Sequence, residues 1–266
     1  MICKRRVFST AWLRTLSPVI LEVPRLRRFE IKLRTESPAS FVGSVLSLAP
    51  RVAAFDCDGT LWSGDVGEGF FNWELKQGIV SEAIATSMRA RYADYKAGEV
   101  SEDDMCGEMV TMHKGMPEST LLRATSDYFE NSFPGDIFPE MRELVERLQQ
   151  NGCDVWAVSS SNEWLIRAGM KHFGIPDNRL LAASVEIEDG MITDRIVRLP
   201  SGPGKPRALR DVGAKDIDAA FGNSRWDTEM LAMSKHAFAV NPNPDLEATA
   251  RQRNWTVYFP DGTRHE

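Results

Sequence analysis

The sequence predicts an α/β protein built on a doubly wound parallel sheet, with a small helical insertion after the first strand. Short apolar runs of the kind that form buried strands alternate along the chain with segments of helical periodicity, which is typical of a parallel sheet. The chain has 266 residues, of which 42% are hydrophobic and 26% are charged. These are ordinary values for a globular protein, and the length suits one large α/β domain with a modest insertion.

The first predicted strand covers residues 52–55, a short apolar run that ends abruptly in the polar segment Asp-Cys-Asp-Gly-Thr. A buried parallel strand that emerges into a loop has this pattern. Residues 64–133 are predicted to be mostly helical and to form the insertion. The predicted helix boundaries within it are Ser81 or Glu82, Lys96, Gly98, Ser101 and Gly115.

The rest of the chain continues the alternation of strands and helices. An amphipathic helix is predicted from Pro139 to residues 151–152, and a second buried strand follows at 155–158. A third strand at 180–185 leads into a hairpin that turns at residues 189–190. The remaining predicted strands are 217–221, 236–240 and 255–258, and the remaining predicted helices are 205–212, 228–234 and 245–253.

The charges exclude several classes of function. Residues 1–50 hold nine Lys or Arg and three Glu, whereas the other 216 residues carry 23 basic and 35 acidic side chains. Such an acidic body has no long-range attraction for nucleic acid, so no nucleic-acid partner is predicted. The longest stretch without Asp, Glu, Lys or Arg has 14 residues, fewer than the roughly 20 apolar residues of a membrane-spanning helix. No membrane partner is predicted either.

Cysteine usage and the N-terminal segment bear on location. The four cysteines are scattered without the spacing of a zinc site or a disulfide framework, so a reducing cytoplasm is predicted.

The basic residues 1–50 are predicted to form a poorly ordered N-terminal extension. Three interpretations stay open: a disordered or poorly packed extension, residues added by an upstream start codon, and an organelle transit peptide. The first two together are favoured over the third.

Polar groups with complementary chemistry fall at the predicted strand ends or in the loops between them. In a doubly wound sheet these ends converge on one crevice, so residues far apart in sequence can meet there. A carboxylate can take up a phosphoryl group, and a second carboxyl two residues on can protonate the leaving oxygen. Mg²⁺ prefers hard oxygen ligands and offsets the repulsion between a carboxylate and a phosphate. The groups are Asp56, Asp58, Ser159, Lys205, Asn223 and Asp227.

Four segments in order resemble the motifs of the haloacid dehalogenase superfamily, and in particular its phosphoserine phosphatase-like members. Ala-Phe-Asp-Cys-Asp-Gly-Thr-Leu-Trp at 54–62 is similar to the first motif, and Val-Trp-Ala-Val-Ser at 155–159 to the second. Gly-Pro-Gly-Lys-Pro at 202–206 resembles the lysine motif, and the segment 221–231 the acidic metal motif. The likeness covers about residues 51–258.

The resemblance implies a Rossmann-like core formed by residues 51–63 and 134–266, covered by a helical cap at 64–133. It also implies a role for each matching position: Asp56 is the nucleophile and a metal ligand, and Asp58 is the general acid and base with its backbone carbonyl on the metal. The implied phosphate-binding residues are Thr60, Ser159, Ser160 and Lys205. The implied Mg²⁺ ligands are Asp56, Asp58, Asn223 and Asp227.

One position departs from the family pattern. The family usually has Asp where this chain has Asn223, and a neutral amide oxygen is a weaker ligand than a carboxylate. We therefore expect weaker metal binding, or a larger share of the metal carried by Asp227. The second carboxylate, Asp58, favours phosphate ester hydrolysis over dehalogenation, because an alkoxide leaving group needs a proton and a halide does not.

The substrate is predicted to be a small phosphorylated metabolite, with phosphoserine itself disfavoured. Related phosphoserine phosphatases place an Arg in the cap to bind the substrate carboxylate, and Met109 stands at that position. Asp65 lies roughly at the place of their amine-binding acid. A cationic or neutral head group on Asp65 with Trp62 or Trp73 is therefore expected, since aromatic faces attract cations.

The sequence thus predicts an Mg²⁺-dependent phosphatase that acts through an aspartyl-phosphate on Asp56. Two alternatives stay open: a phosphotransferase of the same superfamily, and a phosphate-binding regulatory module that has lost turnover. Asn223 is the sequence feature that suggests the second alternative. The oligomeric state is not predicted.

Overall fold

The computed structural model describes residues 37–261 and 263. They form a seven-stranded sheet with the strand order β4-β3-β2-β1-β5-β6-β7, in which all neighbours pair in parallel except β3 and β4. The strands are β1 Val52–Phe55, β2 Asp154–Asn162, β3 Leu180–Glu188, β4 Met191–Arg198, β5 Ala219–Gly222, β6 His236–Val240 and β7 Thr256–Tyr258. The predicted α/β fold with a mostly parallel sheet is confirmed.

Ten α-helices of the described residues connect and cover these strands. They are α1 Pro38–Ser47, α2 Val66–Gln77, α3 Glu82–Lys96, α4 Glu102–Thr111, α5 Glu118–Ser132, α6 Pro139–Gln150, α7 Glu163–Met170, α8 Gly204–Asp211, α9 Thr228–Met233 and α10 Pro244–Arg253. The predicted helices that follow the insertion are present with ends shifted by at most two residues. None of the described helices has both the length and the apolar character needed to cross a membrane.

The centre of the sheet is buried on both faces, which explains its short apolar strands. Phe55 of β1 stacks on Phe221 of β5 at 4.1 Å between ring centroids, and Phe221 stacks on Phe238 of β6 at 4.8 Å. On the opposite face, Ala54 and Ala220 belong to a second buried cluster under α8, α9 and α10. Burial of both faces makes β1 and β5 run as continuous apolar segments rather than alternating ones.

The hairpin between β3 and β4 forms where the turn residues predict it. Asp189 and Gly190 have φ angles of 50° and 77°, and two successive positive φ values fit the type I′ turn that matches the twist of paired strands. Asp and Gly are residues that tolerate this conformation. The antiparallel strand β4 forms one edge of the sheet, next to β3.

The N-terminal prediction is corrected for residues 37–50. The segment was expected to be poorly ordered, but residues 38–47 form α1, which begins with Ser37 as its N-cap and Pro38 in its first turn. Phe41, Val42 and Val45 are completely buried, and the ring of Phe41 stacks on Tyr258 at 3.8 Å. The i, i+1, i+4 spacing of these residues gives α1 the apolar face that secures it to the core. Residues 1–36 lie outside the described part.

Residues 64–133 contain helices α2 to α5. These helices contain a small core of their own, in which Phe71, Leu75, Val80, Met88 and Met105 are buried together. The helical content agrees with the sequence pattern. The assignment of this segment as a cap, with the boundaries 64 and 133, stays a prediction.

The start of β1 is held in place by the side chain of Asp218. Asp218 accepts hydrogen bonds from the backbone N–H groups of Arg51 and Val52 at 2.8 and 3.2 Å, and from Lys235 Nζ at 2.6 Å. The bond from Lys235, helped by the two backbone bonds, lowers the pKa of Asp218 to about 2 against the opposing effect of burial. A lowered pKa in the folded state stabilises the protein above the ordinary Asp value, and this contribution is lost as the pH falls toward 2.

We expect Asp218→Asn to lower the free energy of unfolding by about 1 kcal/mol at pH 7, after allowance for solvent screening around Lys235. The difference from wild type should shrink as the pH falls below about 4. Urea denaturation at several pH values measures both effects. Asp216→Asn is the control, because Asp216 is exposed two residues away. An Asp218→Asn protein as stable as this control at pH 7 would contradict the prediction.

Candidate active site

The end of β1 places Asp56 at the centre of a buried polar network. The Asp56 N–H donates to Phe221 O of the neighbouring strand at 2.9 Å, which fixes the backbone at the point where the chain leaves the sheet. The Thr60 hydroxyl donates to Asp56 Oδ2 at 2.8 Å. Gly59 adopts a φ of +69°, and a Cβ there would lie 1.8 Å from Asn223 Nδ2. Only glycine fits this turn, because it allows the positive φ and the close approach of Asn223.

Lys205 joins Asp56 to a second acid. Its Nζ lies 2.7 Å from Asp56 Oδ1, 2.6 Å from Asp227 Oδ1 and 3.1 Å from the carbonyl oxygen of Val158. Lys205 lies in the first turn of α8 and is 2% exposed. Burial would lower the pKa of this ammonium group, but the charges of Asp227 and Asp56 raise it above its usual range. Lys205 is therefore charged and shared between two buried carboxylates.

Asp227 is hydrogen-bonded through both of its carboxylate oxygens. Its Oδ2 accepts from the N–H groups of Asn223 and Ser224 and from the Ser224 hydroxyl, while Oδ1 accepts from Lys205. The side chain is completely buried. A carboxylate whose two oxygens are both occupied in this way orders the loop 223–224 and Lys205. The expectation that Asp227 carries a larger share of a metal stays a prediction.

Asp58 is held by three hydrogen-bond partners. Trp62 Nε1 and the Val66 N–H donate to Oδ1 at 2.9 and 2.7 Å. The Ser161 hydroxyl lies 2.7 Å from Oδ2. The carboxyl group of Asp58 is thus fixed in orientation by residues from its own loop, from the first turn of α2 and from the end of β2.

The pKa values of Asp56 and Asp58 are both raised, and that of Asp58 is raised more. Burial and the nearby charge of Asp227 raise the pKa of Asp56 to about 6, against the lowering effect of Lys205. Burial and the charges of Asp65 and Asp56 raise the pKa of Asp58 to about 8, although the bonds from Ser161 and Trp62 oppose this shift. Near neutral pH the site therefore favours an ionised Asp56 next to a protonated Asp58, which suits a nucleophile beside a general acid.

A cavity of about 410 Å³, which we call the outer cavity, opens over these groups. The residues that line it and that bear on function are Asp56, Asp58, Ser160, Ser161, Lys205 and Asn223. Ser159 and Thr60 are buried, and the Ser159 hydroxyl accepts from the Ser161 N–H at 3.1 Å. The structure thus brings most of the predicted residues to one cavity and buries Ser159 and Thr60 beside them.

A second, smaller cavity of about 80 Å³, which we call the inner chamber, adjoins the first among the helices of residues 64–133. The two cavities share Asp65, Tyr95, Glu102, Ser160 and Ser161. Met109 lines the inner chamber. Two of the residues suggested for substrate specificity, Asp65 and Met109, therefore lie at the inner chamber.

The suggested role of Trp62 in substrate binding is corrected. Trp62 is completely buried, its ring meets the edge of Phe129 at 5.4 Å, and its Nε1 donates to Asp58. A ring packed in this way presents no face to a substrate. Trp73 is half-buried and packs against Phe70 and Tyr128.

Three residues of the site were not predicted from the sequence. Ser161, Tyr95 and Glu102 line both cavities. Ser161 follows directly after the two predicted serines, Ser159 and Ser160. The polar run at the end of β2 could therefore have indicated that Ser161 belongs to the site. Tyr95 and Glu102 carried no such signal, because the packing of a helical insertion over the sheet cannot be derived from periodicity.

The outer cavity has oxygen donors that fit a divalent cation. Asp56, Asp58 and Asn223 line it together, and their carboxylate, carbonyl and amide oxygens are the hard ligands that Mg²⁺ prefers. The described residues contain no group of three or more His, Cys, Asp or Glu side chains arranged as a metal site. The donor set would therefore depend on the amide of Asn223 and on backbone oxygen in addition to the carboxylates.

Comparisons with known proteins indicate a hydrolase family. A family model described as haloacid dehalogenase-like hydrolase matches residues 53–232. A histidinol-phosphatase of Neisseria meningitidis is 25% identical over 218 residues, covering 78% of this chain and 97% of that protein. Such relatives are named as phosphatases, which supports the predicted enzyme class.

Solved structures show the same fold. A protein of unknown function from Bordetella pertussis superimposes with a TM-score of 0.67 at 21% identity, covering 78% of this chain and 97% of that one. A probable phosphoserine phosphatase from Vibrio cholerae gives a TM-score of 0.57 at 19% identity, over 79% of this chain and 61% of that one. Because the family model spans more than half of the sequence, the chain belongs to the haloacid dehalogenase-like hydrolase family.

Proposed function

We propose that this protein is an Mg²⁺-dependent phosphatase that hydrolyses a small-molecule phosphate monoester through an aspartyl-phosphate on Asp56. One observation carries the proposal: Asp56 and Asp58 line the same cavity, where Lys205 Nζ lies 2.7 Å from Asp56 and the carboxyl group of Asp58 is fixed by Trp62, Val66 and Ser161. An ionised acid and a protonated acid two residues apart are what attack on phosphorus and departure of an alkoxide require.

In the first step, an oxygen of Asp56 attacks phosphorus and the bond from phosphorus to the alcohol oxygen breaks. Lys205 and Thr60 hold the carboxylate of Asp56 in one orientation, so little motion is needed to reach the reacting geometry. Lys205 also supplies the fixed positive charge that the acidic protein brings to the phosphoryl oxygens. In the second step, water attacks the same phosphorus and releases Asp56.

The proton that Asp58 transfers is held on Oδ2. Its Oδ1 accepts from Trp62 Nε1 and the Val66 N–H, which can only donate, so a proton on Oδ1 would face two donors. Ser161 lies against Oδ2 and its hydroxyl can either donate or accept. Asp58 therefore gives the Oδ2 proton to the leaving oxygen, and the ionised carboxylate then takes a proton from the attacking water.

Mg²⁺ would be held by the carboxylate of Asp56, the backbone carbonyl of Asp58 and the side chain of Asn223. When bound, the ion would neutralise charge on the phosphoryl oxygens. The negative charge of Asp227 behind the cavity wall supports the proposal, because it raises the energy of the ionised form of Asp56, and a cation would offset this effect.

Hydrolysis of a chromogenic phosphate ester, measured with Mg²⁺ and with EDTA, tests this function. The proposal expects Mg²⁺-dependent release of phosphate by wild type, and a panel of esters that includes histidinol phosphate and phosphoserine then ranks substrates. Product phosphate trapped on an added alcohol instead of water would favour the phosphotransferase. No turnover of any ester would favour a regulatory module.

A cytoplasmic location is part of the proposal, and the free thiols of Cys57, Cys106 and Cys153 support it.

The proposed role of Asn223 as a Mg²⁺ ligand can be tested by substitution. We expect Asn223→Asp to lower the Mg²⁺ concentration for half-maximal activity by about tenfold or more, because a carboxylate is a stronger ligand than an amide. Activity is titrated against Mg²⁺ for wild type and variant. Asn243→Asp adds the same charge to the cavity wall and is the control for a general electrostatic effect. Equal shifts in both variants, or no shift in Asn223→Asp, would contradict the assignment of Asn223 as a ligand.

A further inference from the structure

Asn241 has an unusual backbone conformation beside the candidate active site. It follows directly after β6 and lines the outer cavity. Its φ of 45° lies in the left-handed region, which residues other than glycine adopt at a cost in free energy. Ala49, Asp189 and Asn254 also have a positive φ, but they lie after α1, in the β3–β4 turn and after α10. Within the described ranges, Asn241 is thus the non-glycine residue that has this conformation at the outer cavity.

The side chain of Asn241 contacts the turn that follows Asp58. Its Nδ2 donates to the carbonyl oxygen of Gly59 at 3.3 Å, across 182 positions of sequence. The backbone N–H of Asn241 donates to Tyr258 O of β7 at 2.7 Å, which fixes the residue to the sheet. Gly59 is buried, and the bond from Asn241 provides its carbonyl oxygen with a donor. Asn241 therefore connects the end of the sheet to the turn at Gly59.

The loop that begins at Asn241 also holds Asn223. This loop consists of Asn241, Pro242 and Asn243, and we call it the 241–243 loop. The backbone N–H of Asn243 donates to Asn223 O at 2.7 Å. The loop is short, and the ring of Pro242 fixes its own φ, so little freedom is left between the two contacts.

The two segments that the 241–243 loop holds touch each other. A Cβ at Gly59 would lie 1.8 Å from Asn223 Nδ2, so the side chain of Asn223 packs directly against the turn. A shift of this turn relative to β6 would displace the Asn223 side chain. It would also displace the backbone carbonyl of Asp58, the residue before Gly59. The loop therefore controls the relative position of Asp58 and Asn223.

Resting on the proposed function, in which Asp58 and Asn223 hold Mg²⁺, we propose that Asn241 is a positioning residue for the metal site. Its bond to Gly59 fixes the spacing between the backbone carbonyl of Asp58 and the side chain of Asn223. Mg²⁺ requires near-ideal octahedral geometry, whereas Ca²⁺ accepts a more flexible arrangement of ligands. Asn241 therefore favours Mg²⁺ over Ca²⁺, and it acts through Gly59 rather than on the ion.

Direct metal binding by the full chain tests this role. Free Mn²⁺ is measured by electron paramagnetic resonance as protein is added, and Mg²⁺ or Ca²⁺ then competes for the site. Asn241→Gly removes the amide and keeps the backbone conformation, because glycine adopts a positive φ readily. We expect its affinity for Mg²⁺ to fall by about tenfold or more, the usual effect of losing a residue that orients a metal ligand. Its affinity for Ca²⁺ should fall by about threefold or less.

Asn254→Gly is the matched control. Asn254 has a φ of 56°, follows α10 and is exposed, so the same substitution is made in a similar conformation outside the outer cavity. Its metal affinities should equal those of wild type. The kcat of Asn241→Gly at saturating Mg²⁺ should stay within about threefold of wild type, because Asp56 and the carboxyl group of Asp58 are unchanged.

Asn241→Asp repeats the test with the size of the side chain kept. Asp tolerates the left-handed conformation, but an ionised carboxylate cannot donate to the carbonyl oxygen of Gly59. We expect weaker Mg²⁺ binding than in wild type, although an added negative charge by itself attracts a cation. Tighter binding would show that the side chain at this position reaches the ion itself, which would overturn the positioning role.

The outcomes separate this inference from the proposed function. If wild type binds Mn²⁺ and hydrolyses the chromogenic ester, but Asn241→Gly keeps the wild-type affinity for Mg²⁺, the inference is wrong and the phosphatase stands. Equal losses for Mg²⁺ and Ca²⁺, or the same loss in Asn254→Gly, would also overturn it. If wild type binds no Mn²⁺ the inference fails, and the proposed function fails as well if the ester is not hydrolysed.

Discussion

Replacement of Asp56 by Asn should lower kcat by about 10⁴-fold or more, because the amide cannot form the bond to phosphorus on which the reaction depends. The variant should remain folded. An amide has nearly the same shape as the carboxylate, so its oxygen can accept from Lys205 and its NH₂ can donate to Thr60. We expect the free energy of unfolding to change by no more than about 1 kcal/mol. Loss of activity without loss of stability would identify a chemical role.

Steady-state hydrolysis of a chromogenic phosphate ester with saturating Mg²⁺ measures this effect, and urea denaturation measures the stability. Asp127→Asn, a change at an exposed position of α5, is the control for purification and for contaminating phosphatases. An Asp56→Asn protein that keeps more than about a hundredth of wild-type kcat would show that another group attacks phosphorus.

The second large effect concerns Lys205 and stability. Lys205→Met should lower the free energy of unfolding by about 3–5 kcal/mol, because it leaves Asp56 and Asp227 buried next to each other without a counter-ion. Methionine has a similar length and is a good fit for a buried position, so the loss of charge dominates the effect. Activity should fall as well, since the phosphoryl group loses its fixed positive partner.

Two further variants test this explanation. Lys235→Met removes a lysine that also contacts a carboxylate, Asp218, but its side chain is 58% exposed. We expect that change to cost about 1 kcal/mol or less. The double variant Lys205→Met with Asp227→Asn should regain part of the lost stability, because it removes one of the two uncompensated charges. A Lys205→Met protein as stable as Lys235→Met would mean that the network around Lys205 contributes little to folding.

The parts of this fold that follow from the sequence are those in which local chemistry and burial agree. Residues 52–55 are apolar without alternation, and the structure places them in β1 with both faces covered. Asp189 and Gly190 suit a type I′ turn, and β3 and β4 pair around them. The convergence of Asp56, Lys205 and Asp227 follows from one rule, that the carboxyl ends of parallel strands share an edge of the sheet.

The parts that could not be predicted depend on which faces meet. Helix α1 was assigned to a disordered extension, since the basic residues before it dominate the local composition and conceal three buried side chains. Asp227 matches a metal-binding position of the family, but the sequence does not show the four donors that surround its carboxylate. Trp62 was suggested as a ligand contact, although it packs in the core and donates to Asp58. Tyr95 and Glu102 enter the site through the packing of α3 and α4, which no local pattern specifies.

The most direct test is to trap the phosphorylated residue. The protein is acid-quenched during turnover of a good substrate, and the acyl phosphate is reduced with borohydride. Peptide mass spectrometry then locates the modified residue. We expect Asp56 to be converted to homoserine in a fraction that depends on substrate, with Asp58 unmodified. Modification of any other residue, or no modification while phosphate is released at full rate, would contradict covalent catalysis by Asp56.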